Sequence, residues 1–262
     1  MATISKPESG LFYTDSGQGA VCLLIAGFNA DHSCWQPVLD ALQLTRRVIA
    51  FDHRGIGKSA ASAAFGWQTL VADVLALLDQ LDIDRAQFVG HSMGAKIALE
   101  IAAHHPDRVD RLLLMNPQAQ PIDFPLTDVL KIAGELAALG VPNDLILRNA
   151  GLWGYGSGFC RSGLPYKQEL AHSARVGATL SAEGFEAQRQ LLLTDQSDLL
   201  SRIQAPTLVV TGSDDRLLLP KQAEFIAQKI ADARFQVIDH CAHIPQLDQP
   251  AELIRIMQAF LD

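Results

Sequence analysis

The stretch Ala86-Gln-Phe-Val-Gly90-His-Ser92-Met-Gly94-Ala-Lys-Ile-Ala98 decides the fold. Its apolar start, Ala86 to Gly90, predicts a strand, and the spacing from Met93 to His105 predicts a helix. Between them sits a serine with a glycine two positions away on each side. At the tip of a sharp strand-to-helix turn the backbone is strained, and only glycine-sized neighbours fit at those two positions. The following helix aims its N-terminal amides at the turn, where they can stabilise negative charge. The pattern G-x-S-x-G occurs by chance in many chains, so the strand before it and the helix after it are what single out Ser92 as a nucleophile.

Outward from this turn, short apolar runs alternate with amphipathic stretches, the pattern of a parallel sheet covered by helices. Strands are predicted at Ala20 to Ala26, Val48 to Asp52, Ala86 to Gly90, Leu112 to Met115, Thr207 to Thr211 and Phe235 to Ile238. In the predicted helix Trp67 to Leu81, residues Leu70, Val74, Leu77, Leu78 and Leu81 fall on one stripe, and Ala251 to Leu261 reads the same way. The alternation fails between Pro117 and Gln204. That stretch offers helical pieces at Asp128 to Leu139, Tyr166 to Leu180 and Ala182 to Leu193, the last behind a Ser181 cap, and no convincing strand. The predicted organisation is an α/β core of residues 1–118 and 205–262 with a helical cap, 119–204, inserted between two strands. Within the cap, Gly151-Leu-Trp-Gly-Tyr-Gly-Ser-Gly-Phe-Cys160 mixes glycines with aromatics and is expected to hinge. Phe124, Leu152, Trp153, Tyr155 and Phe159 are candidates for a substrate-pocket wall, with a buried structural role as the alternative.

A serine hydroxyl needs a base to take its proton and a carboxylate to hold that base in the right tautomer. Thr211-Gly-Ser-Asp214-Asp215-Arg follows one predicted strand, and His240-Cys-Ala-His243 follows another, the edge at which open α/β sheets place their chemistry. His243 is the candidate base. Asp215 and its neighbour Asp214 compete as the acid. Acyl transfer also needs donors for the developing oxyanion, predicted as the backbone N–H of Met93 and that of Phe28, in Ala26-Gly-Phe28-Asn. The alternative for Phe28 is a wall of the pocket.

The composition removes other classes. A net charge of −8 disfavours nucleic acid and anionic membrane surfaces, and the expected partner is a small-molecule substrate. The four cysteines form neither metal pairs nor a disulfide framework, and the remaining histidines have no metal-ligand spacing, so neither metal nor cofactor is expected. Residues 1–10 carry no apolar segment of signal-peptide type, and the longest apolar run, Ala20 to Ala26, is too short for a membrane span, so the expected location is cytoplasmic. Gly55-Ile-Gly57-Lys-Ser59 has the end of a phosphate-binding loop, but the position that must be its first glycine is Asp52.

In combination these motifs resemble the α/β-hydrolase superfamily over nearly the whole chain outside the cap. Phe51-Asp-His-Arg-Gly-Ile-Gly-Lys-Ser59 resembles the family's D-x-R-G-x-G-x-S turn, and His105-Pro-Asp-Arg-Val109 its H-P-x-R-V segment. The family's G-x-x-D pattern, counted from Gly212, lands on Asp215, and its Gly-His step is similar to Ala242-His243. Ala26-Gly27 departs from the usual His-Gly pair before the oxyanion donor. Serine at the elbow excludes the haloalkane dehalogenase type. Ile244 stands where carbon–carbon bond hydrolases usually carry tryptophan. Gly27-Phe-Asn-Ala-Asp-His-Ser-Cys-Trp35 and His243-Ile-Pro-Gln-Leu247 resemble small signalling hydrolases of the karrikin-receptor and RsbQ kind. The resemblance therefore implies a serine esterase or lactonase, with a ligand-sensing regulator, a carbon–carbon bond hydrolase or a non-hydrolytic enzyme on the same triad as alternatives.

Overall fold

The computed structural model describes residues 3–5, 10–59, 65–121 and 126–262. Eight strands, β1 (Thr3–Ser5), β2 (Tyr13–Ser16), β3 (Val21–Ile25), β4 (Arg47–Phe51), β5 (Ala86–His91), β6 (Val109–Met115), β7 (Thr207–Gly212) and β8 (Ala233–Ile238), form one sheet in the order β1-β2-β4-β3-β5-β6-β7-β8. From β4 to β8 every pairing is parallel, while β1 on β2 and β2 on β4 are antiparallel. All six strands predicted from the apolar runs are present, with ends shifted by one to three residues. The two antiparallel strands were not predicted. Tyr13-Thr-Asp-Ser16 is polar and too short to show alternation, and its place comes from pairing with β4.

Side-chain alternation along the buried strands divides the core into two layers. Leu23 and Ile25 of β3, Phe88 of β5, Leu112 and Leu114 of β6 and Val209 of β7 pack toward α2 (Trp67–Gln80), α3 (Met93–His104) and α9 (Pro220–Lys229). Cys22, Leu24, Val48, Val89, Leu113 and Val210 pack on the opposite face, against α1 (Gln36–Leu42) and α11 (Pro250–Leu261). The stripe Leu70, Val74, Leu77 and Leu78 of α2 is buried as its spacing requires, with Leu81 only partly so. Each large apolar side chain so buried contributes roughly 1.5–3 kcal/mol.

Between β6 and β7 run α4 (Leu126–Ala138), α5 (Asn143–Gly154), α6 (Ser157–Cys160), α7 (Leu164–Gly177) and α8 (Ala182–Leu192), with no strand among the described residues. Ser181 caps α8 as expected, accepting from the Gly184 N–H at 3.1 Å. The expectation of a hinge at Gly151 to Cys160 is corrected. This segment ends α5, makes one turn and enters α6. Its backbone is tied down: Gly154 O accepts from His243 N at 3.0 Å, and Gly156 N donates to Asp248 at 2.9 Å.

A buried lysine holds the two stems of the insertion. Lys96 on α3 is fully buried and donates to Thr194 O at 2.9 Å and Ala119 O at 3.4 Å, one carbonyl from each stem. Burial pushes its ammonium down to about 8, against the opposing pull of Asp195 and Glu100. Gln118 Nε2 donates to Leu192 O and Gln196 N to Ala119 O, closing the same junction. The helix that begins at Ser92 thus also anchors the inserted helices. No helix among the described residues is long and apolar enough to cross a membrane.

Candidate active site

The strand order reverses at β3, which has β4 on one side and β5 on the other, so a crevice opens beyond their carboxyl ends. Gly27 and Phe28 leave β3 into that crevice, and Ser92 leaves β5 into it. Ser92 has φ 54° and ψ −115°, a left-handed backbone that a non-glycine residue adopts only when its surroundings impose it. The imposing contact is steric. A Cβ added at Gly94 would lie 2.2 Å from Ile25 O and 2.6 Å from Ala26 O, and one at Gly90 would lie 2.5 Å from Gly94 O. Gly94→Ala is therefore expected to force α3 off β3 and cost about 3 kcal/mol, a fall in Tm of roughly 6–10 °C. Thermal unfolding measures it, and an unchanged Tm would mean that the turn can relax.

His243 lies beyond β8, three strands from β5, and its loop crosses the sheet edge in steps. It passes over Gly212 at the end of β7, where any Cβ would lie 2.3 Å from Cys241 O. Asn116, at the end of β6, donates from Nδ2 to Ala242 O at 3.2 Å. His91, at the end of β5, donates from Nε2 to His243 O at 2.7 Å. Burial and the neighbouring His243 push His91 down to about 3, so it is a neutral donor. At the end of this path His243 Nε2 is 3.0 Å from Ser92 Oγ and Nδ1 is 2.8 Å from Asp215 Oδ2. A carboxylate only accepts, so Nδ1 carries the proton and Nε2 is free to accept from the serine.

Asp215 is 2% exposed, and all its partners are donors: Leu217 N at 2.9 Å, Leu218 N at 3.0 Å and Asn116 Nδ2 at 2.7 Å, besides His243. Burial pushes its carboxyl up, but His243 and these hydrogen bonds outweigh burial and leave it below its ordinary value. Asp214 is exposed, its carboxylate accepting from Ser213 Oγ at 2.9 Å and its backbone N–H donating to Cys241 O at 2.8 Å. His240, the other histidine of this loop, is exposed as well. The structure thus brings Ser92, Asp215 and His243 into one hydrogen-bonded chain and leaves Asp214 and His240 outside it.

This chain opens on a cavity of about 1080 Å³ between the core and α4, α5, α7 and α8. Gly27, Phe28, His91, Ser92 and His243 line its floor. The loop at Gly27 touches the serine turn: a Cβ there would sit 3.3 Å from Ser92 Cβ. Phe28 is the next residue along this loop and lines the same cavity. The Phe28 ring packs edge-on against Phe185 of α8 at 5.1 Å, so the residue is also a pocket wall. Met93, the first residue of α3, is fully buried, and the first turn of the helix leaves its backbone N–H without an intrahelical acceptor. The departure at Ala26 is compensated by His53, which donates from Nε2 to Ala26 O at 2.9 Å.

Of the proposed wall residues, Tyr155 lines the cavity. Trp153 and Phe159 do not, which corrects that expectation. Trp153 turns toward the Arg216 guanidinium, 5.8 Å from its ring, and Phe159 stacks with Tyr155 and Tyr166 behind the wall. Leu152 is exposed on the outer side of α5, and Phe124 lies outside the described residues. The apolar lining comes instead from Leu126, Leu130, Ile146, Leu170, Phe185 and Leu217, among others.

Against the spacing argument on metals, the fold brings Asp31, His32 and Asp52 within ligand distance of one another. Their atoms are engaged otherwise. His32 Nδ1 and the His32 backbone N–H both reach Asp52 Oδ1, at 2.6 and 2.8 Å, while Asp31 Oδ1 accepts from Ser33 Oγ at 2.6 Å. Asp52 Oδ2 also accepts from Lys58 N, so this carboxylate organises the turn in which the first glycine of a phosphate loop is missing.

The model of the alpha/beta hydrolase fold matches residues 21–250. The chain belongs to the α/β-hydrolase family and is a hydrolase. It is 31% identical to 3-oxoadipate enol-lactonase 1 of Acinetobacter baylyi, over 88% of this chain and 84% of that protein. It is 30% identical to 2-hydroxymuconate semialdehyde hydrolase of a Pseudomonas species, over 94% and 88%. Among solved structures, the enol-lactonase of Burkholderia xenovorans LB400 superposes with a TM-score of 0.87 at 27% identity, covering 99% of each chain.

Four residues that hold this hydrolase's site together had no local signal. Asn116, His91 and His53 act through carbonyls or a carboxylate far away in sequence. Asp248, in α10 (Pro245–Asp248), accepts from Ala242 N at 2.8 Å and from Gly156 N, tying the histidine loop to the inserted helices. Burial, reinforced by Asp214 and Asp215, pushes its carboxyl up despite these two backbone donors.

Proposed function

We propose that this hydrolase cleaves a small-molecule carboxylic ester or lactone through an acyl-enzyme, with Ser92 as nucleophile, His243 as base and Asp215 as the orienting acid. The observation that carries the reading is the unbroken hydrogen-bond chain Asp215–His243–Ser92 on the floor of a largely apolar cavity. Ser92 Oγ attacks the carbonyl carbon while His243 Nε2 takes the hydroxyl proton. The oxyanion is received by the N–H groups of Met93 and Phe28, preorganised by α3 and by the loop that His53 fixes. As the tetrahedral adduct collapses, His243 returns the proton to the departing alkoxide. Water then attacks the acyl carbonyl, His243 takes its proton, and the acid leaves as Ser92 Oγ is reprotonated. Residues 119–204 act as the cap that closes this cavity, with Tyr155 in its wall, and the whole works without cofactor or metal.

A series of p-nitrophenyl esters tests the reading. The cavity predicts that kcat/KM rises from acetate to hexanoate by up to about fourfold per methylene, the value of a fully buried CH₂. A burst of p-nitrophenol stoichiometric with protein, and an acyl mass on the peptide that contains Ser92, are expected. An acyl group on another residue, or no burst and no turnover across esters and lactones, would refute it.

A further inference from the structure

Among the described residues the fold brings few cations to the cavity, and each has a carboxylate beside it. Among the described residues lining it, Lys131 and Arg189 are the only lysine and arginine. Arg189 is held by Glu186 in a two-pronged pair at 2.7 Å, and Lys131 faces Glu135 one turn along α4 at 4.0 Å. Four carboxylates line the same space: Asp128, Glu135, Glu169 and Glu186. Glu169 is the half-buried one, set in the wall by Ser173 Oγ at 2.9 Å and Tyr155 OH at 3.4 Å. Of the two lining histidines, His91 spends Nε2–H on His243 O and is kept neutral by burial, and His243 belongs to the reacting chain. Other cations nearby are spent elsewhere. Lys96 donates to Thr194 O and Ala119 O beneath the floor, Arg216 donates to Leu152 O on the outer side, and His172 engages Asp31 and Ser33.

We infer that the substrate of this site is uncharged, and that an ester or lactone bearing a free carboxylate is rejected because carboxylates outnumber cations among the described residues that line the cavity. The inference rests on the ester or lactone reading above and deepens it. A carboxylate entering this apolar space loses water, while Glu169, which is not paired with a lining lysine or arginine, repels it. The acid product forms protonated and becomes an anion once it loses that proton, so the same field that excludes anionic substrates opposes its return.

The test compares p-nitrophenyl methyl adipate with p-nitrophenyl hydrogen adipate, two esters of one chain length that differ in a terminal charge. The neutral ester is expected to show a kcat/KM at least about tenfold higher, a ratio that shrinks as salt is added. Glu169→Gln, which keeps the acceptor for Ser173 and Tyr155, is expected to narrow the ratio several-fold, chiefly through the charged ester. Equal kcat/KM for the two esters, or a preference for the anionic one, would overturn the inference. The same pair titrated calorimetrically into Ser92→Ala gives the charge preference as a ratio of Kd values. Absence of Ser92-dependent turnover would therefore count against the catalytic reading alone, and the Kd ratio would still decide this one.

Discussion

Ser92→Ala is expected to lower kcat by roughly 10⁵- to 10⁶-fold, leaving only the background that binding and the oxyanion donors sustain. The substitution deletes one atom, the Oγ that lies 3.0 Å from His243 Nε2. It leaves the turn intact, because φ 54° at position 92 is imposed by the packing of Gly90 and Gly94 against α3 and β3, and alanine has no more Cβ to accommodate than serine. The cavity floor keeps its shape, so a neutral ester still binds and the melting temperature is essentially unchanged. Calorimetric titration beside single-turnover kinetics separates the two effects. Equal rates from the altered and unaltered proteins would place the chemistry elsewhere, and loss of binding together with rate would show that the substitution had damaged the pocket.

What could be read from the sequence is what is local. A strand buried on both faces is a continuous apolar run, and a serine at a strand-to-helix turn needs glycine on either side, so six strands and the nucleophile's turn were visible without coordinates. The strand Tyr13–Ser16, paired between β1 and β4, was not, because half its reason for being a strand lies in Arg47–Phe51. The helices Gln36–Leu42 and Pro220–Lys229 were missed although each has proline in its first turn, a start signal that the short apolar stripe behind it did not reinforce. Asn116 and His91 illustrate the harder limit. Each contacts its partner across 99 or 152 positions, and the motif that contains His91 leaves its position open to any residue. The residues between β6 and β7 were the least legible, since the aromatics from Gly151 to Cys160 largely pack with one another and with Tyr166, and of them Tyr155 lines the cavity.

Asp215→Asn is expected to cost about 10⁴-fold in kcat, whereas Asp214→Asn stays within about twofold. The asymmetry follows from who donates to whom. One oxygen of Asp215 accepts two backbone N–H groups, from Leu217 and Leu218, and the other accepts from His243 Nδ1 and Asn116 Nδ2. An asparagine can match only one of these sides. If its carbonyl serves the two backbone donors, its NH₂ faces His243 and the Asn116 amide. The imidazole then becomes an acceptor at Nδ1 and carries its proton on Nε2, pointing at Ser92, where it can no longer take the hydroxyl proton. The Asn116 amide can turn its Oδ1, which otherwise has no partner, toward the new NH₂, but only by surrendering its hydrogen bond to Ala242 O and so loosening the loop that carries His243. The Asp214 carboxylate accepts from Ser213 Oγ, and an asparagine keeps that acceptor. Steady-state rates on a neutral aryl ester compare the two variants, with circular dichroism to verify folding. A larger loss at Asp214 would reassign the acid and with it the orientation of His243, while rapid hydrolysis by both would mean that the imidazole keeps its working tautomer without a carboxylate behind it.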